Sequence, residues 1–409
     1  MKILHTSDWH LGRTLYGKRR TPEFEAFLDW LLTTLQERKI DVLIVAGDIF
    51  DTTAPSNRMQ QLYYRFLCRT AESGCRHVVV VGGNHDSASF LDAPKELLSF
   101  LDVHIVGAVS SKLEDELLVL RDSHGEPELL VCAVPYLRDR DIRFFEPGES
   151  FEDKNRKLVL GIEAHYRKLG RLAEERRAEA GKHVPIVATG HLFAAGGKTA
   201  EGDGVRDLYV GSLIHVGADS FPACIDYLAL GHLHAAQKVN GSETMRYSGS
   251  PLPMNPSEAG QDKSVVLVEF EGTRPVIEIL SVPEFQKMER VAGDLEALEV
   301  RLRELTLHGD NIWIEVVYRG EEIVPDLRER VFAWAAGSKL EILRIKNERA
   351  LKNVLDGWGN SVPAESLDDL DESDVFLRCL EARSIPESER PGLLNTYREA
   401  LSSLRSDER

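Results

Sequence analysis

A chain of 409 residues is too long for one ordinary hydrophobic core, so we expect a large domain followed by smaller units. Its composition, 43% hydrophobic and 29% charged, excludes a fibrous or wholly disordered protein. The formal net charge of -17 disfavours binding of DNA through a general basic surface. Any affinity for DNA must then come from local basic clusters, bound divalent cations or a partner subunit.

Several features of the sequence predict a cytoplasmic protein that does not enter a membrane. The longest apolar runs, such as residues 42–46 and 78–81, are far shorter than the roughly 18 residues of a membrane-spanning helix. The N-terminus begins Met-Lys-Ile-Leu-His, without an apolar signal stretch. The five cysteines are scattered and show no CxxC spacing, so we expect free thiols rather than disulfides or a thiolate zinc site.

Residues 1–280 alternate apolar runs with amphipathic stretches, which predicts a layered α/β domain. Residues 2–6, 41–46 and 77–82 are predicted strands, and each is followed by Gly, Asn or Asp. Open α/β sheets place their ligands at such carboxyl ends of strands. Residues 23–38 and 56–72 have helical periodicity and are predicted to be crossover helices.

The second half of this domain begins with a predicted charged helix at 153–180 and a strand at 186–189. Four further predicted strands lack long helical spacers, which favours antiparallel pairing in a second sheet. They are residues 226–230, 244–247, 264–271 and 276–280. The predicted fold is therefore mixed α/β (α+β), a two-sheet sandwich flanked by helices.

Two smaller regions are expected after residue 280. Residues 281–350 show the order helix, strand, helix, strand, which predicts a small α+β accessory domain that caps the ligand-bearing strand ends of the first domain. Residues 351–409 contain an acidic run and two short apolar stretches, at 375–380 and 393–404. The acidic run is typical of a solvated linker, and the two stretches predict helices that are marginal alone and dock on a partner.

Five short motifs carry the candidate chemistry, each at the end of a predicted apolar strand. They are Asp8-Trp9-His10, Gly47-Asp48-Ile49-Phe50-Asp51, Gly83-Asn84-His85-Asp86, Gly190-His191 and Gly231-His232-Leu233-His234. Taken singly, each has an ordinary structural explanation, such as an aspartate that caps a helix or a hydrogen-bonded core histidine. Their joint occurrence at five strand ends makes coincidence a poor explanation.

The side chains of these motifs form two sets of imidazole and oxygen ligands. One set is Asp8, His10 and His234, and the other is Asn84, His191 and His232; Asp48 could bridge them. Two metal ions about 3.5–4 Å apart suit hydrolysis of phosphate esters, because they activate a shared water and neutralise phosphoryl charge. Nitrogen and oxygen ligands without thiolate admit Mn, Fe, Zn or Co.

The five motifs resemble those of the calcineurin-like metallophosphoesterase superfamily. Within it, the strings Thr6-Ser7-Asp8-Trp9-His10-Leu11-Gly12 and Gly83-Asn84-His85-Asp86-Ser87 are similar to the nuclease subunits of ATP-driven bacterial complexes. The resemblance implies two Mn²⁺ ions. It assigns one metal to Asp8, His10, Asp48 and His234, and the other to Asp48, Asn84, His191 and His232. His85 would be the catalytic acid and Asp86 would hold its ring; for Asp51 and Asp86, purely structural capping is the alternative.

The resemblance also implies an activity and a partner. Family members cut duplex DNA as 3′ to 5′ exonucleases and cut single strands and hairpins as endonucleases, in recombination, replication and repair. They act with a coiled-coil ATPase, as a nuclease homodimer within a heterotetramer, which implies a location at the nucleoid. The chain has no Gly-x-x-x-x-Gly-Lys-Ser/Thr loop, so any use of ATP must come from that partner.

Two surface predictions accompany this interpretation. Lys18, Arg19 and Arg20 are the best local candidates for contacts with DNA phosphates, although a solvated basic loop explains them equally well. The nuclease chains would pair through helices at 56–72 and 90–101, but ordinary core packing is the simpler explanation for their apolar residues Met59, Tyr63, Phe66 and Leu98.

Two rival functions share the same motifs. A phosphomonoesterase or cyclic nucleotide phosphodiesterase would use the same metal ligands with different residues lining the substrate pocket. A non-catalytic scaffold would keep the fold for binding alone, and the complete ligand set argues against it.

Overall fold

A computed structural model describes residues 1–143, 149–180, 184–194, 216–322 and 324–348, with four isolated residues beyond them. The chain divides into two compact units, Met1–Glu289 and a second that begins at Arg290. The described strands of the first unit are β1 (Lys2–Thr6), β2 (Thr14–Leu15), β3 (Lys18–Arg19), β4 (Val42–Ala46), β5 (His77–Val81), β6 (Val103–Val106), β7 (Leu117–Arg121), β8 (Pro127–Cys132), β9 (Ile186–His191), β10 (Tyr227–Gly231), β11 (Gln237–Lys238), β12 (Met245–Tyr247), β13 (Ser264–Glu271) and β14 (Arg274–Ser281). Its described helices are α1 (Thr21–Arg38), α2 (Asn57–Ala71), α3 (Ala88–Asp92), α4 (Lys95–Ser99), α5 (Asp139–Ile142) and α6 (Phe151–Glu179).

Two six-stranded sheets form the frame of this unit. The first has the order β14-β13-β1-β4-β5-β6 and the second has the order β11-β12-β10-β9-β8-β7. Strands β1, β4, β5 and β6 run parallel, as do β8, β9, β10 and β12. Because parallel strands end at the same edge of a sheet, the loops after β1, β4 and β5 are neighbours, and so are those after β9 and β10.

The core of the first unit lies in three layers. Val79 of the first sheet and Val187 of the second belong to one buried cluster between the sheets. Phe27 and Phe66, from α1 and α2, pack on the outer face of the first sheet, and Leu169 of α6 packs on the outer face of the second. The predicted two-sheet sandwich flanked by helices is confirmed.

Capping and apolar spacing explain where the helices form. The Ser56 side chain accepts a hydrogen bond from the backbone N–H of Met59 at the start of α2, and Ser150 caps α6 in the same way. The face of α2 formed by Met59, Tyr63 and Phe66 is buried in the core, as is Leu98 of α4. These apolar residues therefore pack in the core of the chain, which was the simpler interpretation of them.

The predicted antiparallel pairing of the later strands is wrong in two respects. β12 pairs parallel to β10 in the second sheet, because the chain first turns back through β11, which lies antiparallel to β12. β13 and β14 are antiparallel to each other but extend the first sheet, where β13 pairs with β1. The hairpin of β7 and β8 was not predicted, and the helix expected at 90–101 is split into α3 and α4 at Pro94, which has no N–H to continue it.

The second unit is a small α+β fold. Its sheet has the order β15 (Lys287–Gly293), β16 (Ile312–Tyr318) and β17 (Leu340–Asn347), with helices α7 (Leu295–His308) and α8 (Leu327–Ala335). Leu298 and Leu302 of α7 are buried with Ile314 and Val316 of β16. These are the four elements expected from the sequence, with β15 in addition.

The C-terminal predictions fall almost wholly outside the described residues. The acidic run and the helices predicted at 375–380 and 393–404 lie there, apart from Leu380, Leu393 and Tyr397. Among the helices that the structure does describe, none has the length and apolar character needed to cross a membrane.

Candidate metal centre

The five sequence motifs meet at the carboxyl ends of five strands. Asp8 follows β1, Asp48 follows β4 and Asn84 follows β5, all in the first sheet. His191 is the last residue of β9, and His232 directly follows β10, both in the second sheet. The seven residues predicted as ligands thus come from both sheets to one place.

The backbone at this place is strained. Asp8, His10, Asp48 and His232 have φ angles of 54°, 46°, 51° and 98°, in the left-handed region that residues other than glycine rarely adopt. Each such residue costs about 1–3 kcal/mol, and strain of this kind concentrates at functional sites. The first two motifs hold each other in this conformation, since the N–H of His10 donates to the carbonyl of Asp48 at 3.0 Å.

Two of the motif glycines are required by close approach. A Cβ atom on Gly83 would lie 2.2 Å from Oδ1 of Asp48, and one on Gly231 would lie 2.0 Å from the carbonyl oxygen of Ala46. Any side chain at either position would push the ligand-bearing loops apart. These glycines therefore let the motifs converge.

Asp48 lies at the middle of the cluster. Its Oδ2 atom is 3.2 Å from Nε2 of His191 and 3.6 Å from Nε2 of His10. On one side, Nε2 of His10 is 3.2 Å from Nε2 of His234. Candidate ligand atoms of Asp8, His10 and His234 all lie within 4.8 Å of one another, as do those of Asp8, Asp48 and His191.

The other side of the cluster is built around an amide oxygen. Oδ1 of Asn84 is 2.9 Å from Nε2 of His191 and 3.1 Å from Nδ1 of His232. The structure thus contains two adjoining groups of nitrogen and oxygen atoms that share Asp48. This is the grouping expected for a dinuclear centre.

Burial of so many ionisable groups together shifts their pKa values. Burial raises the pKa of Asp8 to about 6. Burial also acts to raise the pKa of Asp48, but the adjacent His191 outweighs it and holds that pKa below its usual range. Burial disfavours protonation of His191, yet Asp48 raises its pKa to about 9. Burial lowers the pKa of His232 to about 3, so its imidazole is neutral and able to donate a lone pair.

The donor set fits divalent metal ions. Asp8, His10 and Asp48 are buried carboxylate and imidazole groups that face one another, and isolated buried charges are costly unless a cation compensates them. A carboxylate also stands behind two of the imidazoles. Nδ1 of His10 is 3.4 Å from Oδ1 of Asp51, and Nδ1 of His234 is 3.9 Å from Oε1 of Glu258. Metal-binding histidines are commonly oriented by such outer carboxylates.

His85 lies beside Asp48 and His10. Its backbone N–H donates to Oδ1 of Asp48 at 2.9 Å, and its ring packs edge-on to His10 with centroids 4.9 Å apart. Nδ1 lies 3.0 Å from the backbone carbonyl of Asp51, which can only accept, so Nδ1 carries a proton. Proton exchange by this ring would therefore occur at Nε2.

The prediction that Asp86 holds the His85 ring is not supported. The Asp86 carboxylate is buried and accepts hydrogen bonds from the backbone N–H groups of Gly83, Ile49 and Phe50 at 2.9–3.1 Å. It fastens the second and third motifs together, which is the structural alternative for this residue. The carbonyl of Asp51 takes the position expected for Asp86.

Replacing Asp86 by alanine should lower the free energy of unfolding by about 3 kcal/mol, because three buried N–H groups lose their acceptor. Urea unfolding in the presence of chelator would measure this without a contribution from bound metal. Asp262→Ala, at an exposed aspartate, serves as the control. A variant of unchanged stability that lost activity would instead support the orienting role.

The three basic candidates for phosphate contacts do not share one environment. Arg19 is exposed and Lys18 is half-buried on the short β2–β3 hairpin. Arg20 is buried, and its guanidinium donates to both carboxylate oxygens of Glu23 and to the carbonyl of Pro253. Because its donors are taken by internal partners, the prediction for Arg20 is corrected to a structural role.

Several supporting residues were missed in the sequence. Ser7 donates to Oδ2 of Asp8 at 2.5 Å and contacts Ser248 at 2.8 Å. Lys263 is buried and donates to Glu258 at 2.5 Å and to the carbonyl of His234 at 3.3 Å. Ser7 could have been noticed beside Asp8, but the other three carry no local signal because only the fold brings them to the site.

Comparison with known families agrees with this geometry. Residues 1–236 match the family model described as calcineurin-like phosphoesterase. Residues 284–384 match the model described as type 5 capsule protein repressor C-terminal domain. The chain belongs to the calcineurin-like phosphoesterase family, whose members act on phosphate esters with divalent metal ions.

Individual relatives of this chain indicate a particular branch of the family. The chain is 35% identical to the SbcD subunit of the SbcCD nuclease of Escherichia coli (strain K12), over 99% of this chain and 98% of that protein. The SbcD proteins of Rhodobacter capsulatus and Bacillus subtilis are 37% and 36% identical, each over 66% of this chain and over 67% and 66% of their own lengths. The similarity to the first of these relatives includes both units of the chain.

Proposed function

We propose that this chain is the nuclease subunit of an SbcCD-type complex and hydrolyses DNA phosphodiesters with two divalent metal ions, most suitably Mn²⁺. The observation that carries the proposal is the position of Asp48, whose carboxylate lies between two imidazole groups from different motifs. The full-length similarity to a subunit of the SbcCD nuclease narrows the substrate from phosphate esters in general to DNA. The proposed activities are 3′ to 5′ exonuclease action on duplexes and endonuclease action on single strands and hairpins, in recombination, replication and repair.

Each residue of the centre has a role in this proposal. One ion would be held by Asp8, His10, Asp48 and His234, and the other by Asp48, Asn84, His191 and His232. When bound, the two ions supply an activated water and neutralise charge on the phosphate oxygens. The carboxylates of Asp51 and Glu258 lie behind the rings of His10 and His234, at 3.4 and 3.9 Å from their Nδ1 atoms, where metal-binding histidines commonly have an outer carboxylate.

His85 is the proposed general acid. The carbonyl of Asp51 keeps a proton on Nδ1, so Nε2 is the atom that passes a proton to the departing 3′ oxygen. The hydrogen bond from the His85 backbone N–H to Asp48 holds this ring at the edge of the ligand cluster. His85 can therefore act on the leaving group without itself being a ligand.

The proposal includes a partner and an assembly. The relatives are named as one component of SbcCD, so we propose that a coiled-coil ATPase of the SbcC type binds this chain and supplies ATP dependence. Two nuclease chains within a heterotetramer, located in the cytoplasm at the nucleoid, complete the proposal. A partner that contributes basic surface would also compensate for the net charge of -17.

The function is tested on the full chain, with and without the ATPase, in Mn²⁺, Mg²⁺ or chelator. Linear duplex DNA, a DNA hairpin and a small chromogenic phosphodiester are the three substrates. We expect Mn²⁺-dependent release of nucleotides from DNA, and two ions per chain by elemental analysis. Hydrolysis of the small ester without any cutting of DNA, even with the ATPase present, would contradict the nuclease proposal and favour a small-molecule phosphodiesterase.

Arg19 and Arg20 give a matched pair for the DNA-binding proposal. Arg19→Gln should weaken DNA binding and lower the slope of log affinity against log salt by about one, if Arg19 contacts a phosphate. Arg20→Gln should leave that slope unchanged but lower the free energy of unfolding by about 3–5 kcal/mol, because Glu23 stays buried without its partner. Salt titrations of DNA binding and urea unfolding measure the two effects, and an unchanged slope in Arg19→Gln would exclude that contact.

A further inference from the structure

A second group of potential metal ligands lies at the opposite end of β5 from the metal centre. It consists of His77, Asp102 and His104, whose candidate ligand atoms lie within 4.8 Å of one another. His77 is the first residue of β5, whereas Asn84 follows its last. Five strand residues at about 3.3 Å each separate the two ends by on the order of 15 Å, so the two groups are distinct.

The sheet itself fixes this second group. His104 of β6 pairs with Val79 of β5, two residues beyond His77, so the two imidazoles lie diagonally on one face of the sheet. Their ring centroids are 5.7 Å apart. The carbonyl of Asp102 accepts the backbone N–H of Val78 at 3.0 Å, which ties the third member to the start of β5.

The hydrogen bonding of His77 leaves one ring nitrogen directed at Asp102. Nε2 of His77 lies 2.9 Å from the backbone carbonyl of Arg121, so Nε2 is the protonated nitrogen. When this ring is neutral, its lone pair lies on Nδ1, which is buried without a hydrogen-bond partner and is 4.0 Å from Oδ1 of Asp102. Two electron-rich atoms thus face each other, and metal-binding histidines commonly donate their other N–H to a carbonyl in this way.

His104 supplies a second imidazole in the form that metals bind. Its Nε2 atom is also buried without a hydrogen-bond partner. Burial lowers the pKa of His104. The Asp102 side chain is 65% exposed, which gives an ion access from solvent. The nearby cation Arg76 is already paired with Asp41 and Glu128.

We propose that His77, Asp102 and His104 bind one divalent transition metal ion, such as Zn²⁺, with water completing its coordination. Two imidazoles and one carboxylate suit zinc, nickel or cobalt better than magnesium or calcium. Ligand atoms around a tetrahedral ion with bonds of about 2.1 Å are roughly 3.4 Å apart. Rotation of the exposed Asp102 side chain can bring its carboxylate oxygen from the present distance to the shorter one that a bound ion requires. The bound ion would join β5 to the edge strand β6.

The experiment separates this site from the metal centre. The full-length Asp48→Ala variant, stripped with chelator and titrated with Zn²⁺, should retain one ion that is absent after His77→Gln and His104→Gln are added. Co²⁺ in place of Zn²⁺ should give visible d–d absorption that the triple variant lacks. His124→Gln, at an exposed turn, is the control substitution. Equal zinc binding by Asp48→Ala and by the triple variant would overturn the proposal, whether or not the chain is a nuclease.

A second, conservative substitution keeps the proposal testable if the two histidine substitutions prevent folding. Asp102 has a φ angle of 55°, which asparagine tolerates, so Asp102→Asn should keep the backbone and remove only the charge. In the Asp48→Ala background it should weaken Zn²⁺ binding at least tenfold and abolish any zinc-dependent rise in melting temperature. Phosphodiesterase activity in Mn²⁺ should be unchanged when Asp102→Asn is made alone. Unaltered zinc affinity in a folded Asp102→Asn variant would also overturn the proposal.

Discussion

Replacing His85 by glutamine is expected to lower the turnover of a phosphodiester by about 10²–10⁴-fold, the usual contribution of a general acid. Glutamine keeps the size and a hydrogen-bonding tip but cannot transfer a proton. The backbone N–H of residue 85, which donates to Asp48, is unaffected by the substitution. Both metal ions should therefore stay bound while the chemical step slows.

Single-turnover kinetics measure the rate of the chemical step, and elemental analysis of the same preparation measures the number of bound metal ions. His124→Gln removes an imidazole from an exposed turn and is the matched control, with unchanged turnover expected. A substrate whose leaving group is already very acidic needs little help from a proton donor and should be much less sensitive to His85→Gln. Full activity on DNA in the His85 variant would contradict the assignment, and loss of one metal ion would show that His85 is a ligand.

The Asp48→Ala variant is expected to lose the metal pair and, with it, almost all phosphodiesterase activity. Oδ2 of Asp48 lies within 3.6 Å of Nε2 of both His10 and His191, so its removal takes a ligand from each proposed ion at once. Wild-type protein should be stabilised by about 2.7 kcal/mol for each bound Mn²⁺ when the free ion is a hundredfold above its Kd. The variant should show little or none of this stabilisation.

The metal-dependent change in melting temperature and the Mn²⁺ stoichiometry are the measurements, and neither depends on turnover. Asp219→Ala, at an exposed aspartate, should keep both ions and the full stabilisation. If Asp48→Ala bound two ions with wild-type affinity, the proposed bridging role would be wrong. The His85 and Asp48 variants therefore separate proton transfer from metal binding, because only the second should change occupancy.

The positions of the candidate metal ligands were largely predictable because they follow a local rule. A buried parallel strand is apolar along its length and ends where the chain must turn, so polar and glycine residues at that point are visible in the sequence. Asp8, Asp48, Asn84, His191 and His232 all obey this rule. The neighbouring glycines Gly83 and Gly231 allow these motifs to approach one another.

The predictions that failed concern relationships that sequence periodicity does not encode. The pattern of β12 and β13 shows that each is a strand, but whether a strand runs parallel or antiparallel depends on the path of its connection. Likewise Arg20 looks the same as Arg19 in a basic tripeptide. Only the packing of Glu23 and Pro253 around it decides that Arg20 is buried and Arg19 is exposed.

By itself, then, the sequence determined the class of the fold, the strand ends that carry the candidate ligands and the residue types of that candidate set. The tertiary structure alone decided which groups support them: Asp51 behind His10, Glu258 behind His234, and Asp86 as a clamp on backbone N–H groups instead of on His85. The physical reason is the separation in sequence over which each kind of interaction acts. Apolar periodicity and turn chemistry act over a few neighbouring residues. The contacts around a buried candidate ligand can join residues far apart in sequence, such as Ser7 and Ser248, and these form only when the chain has folded.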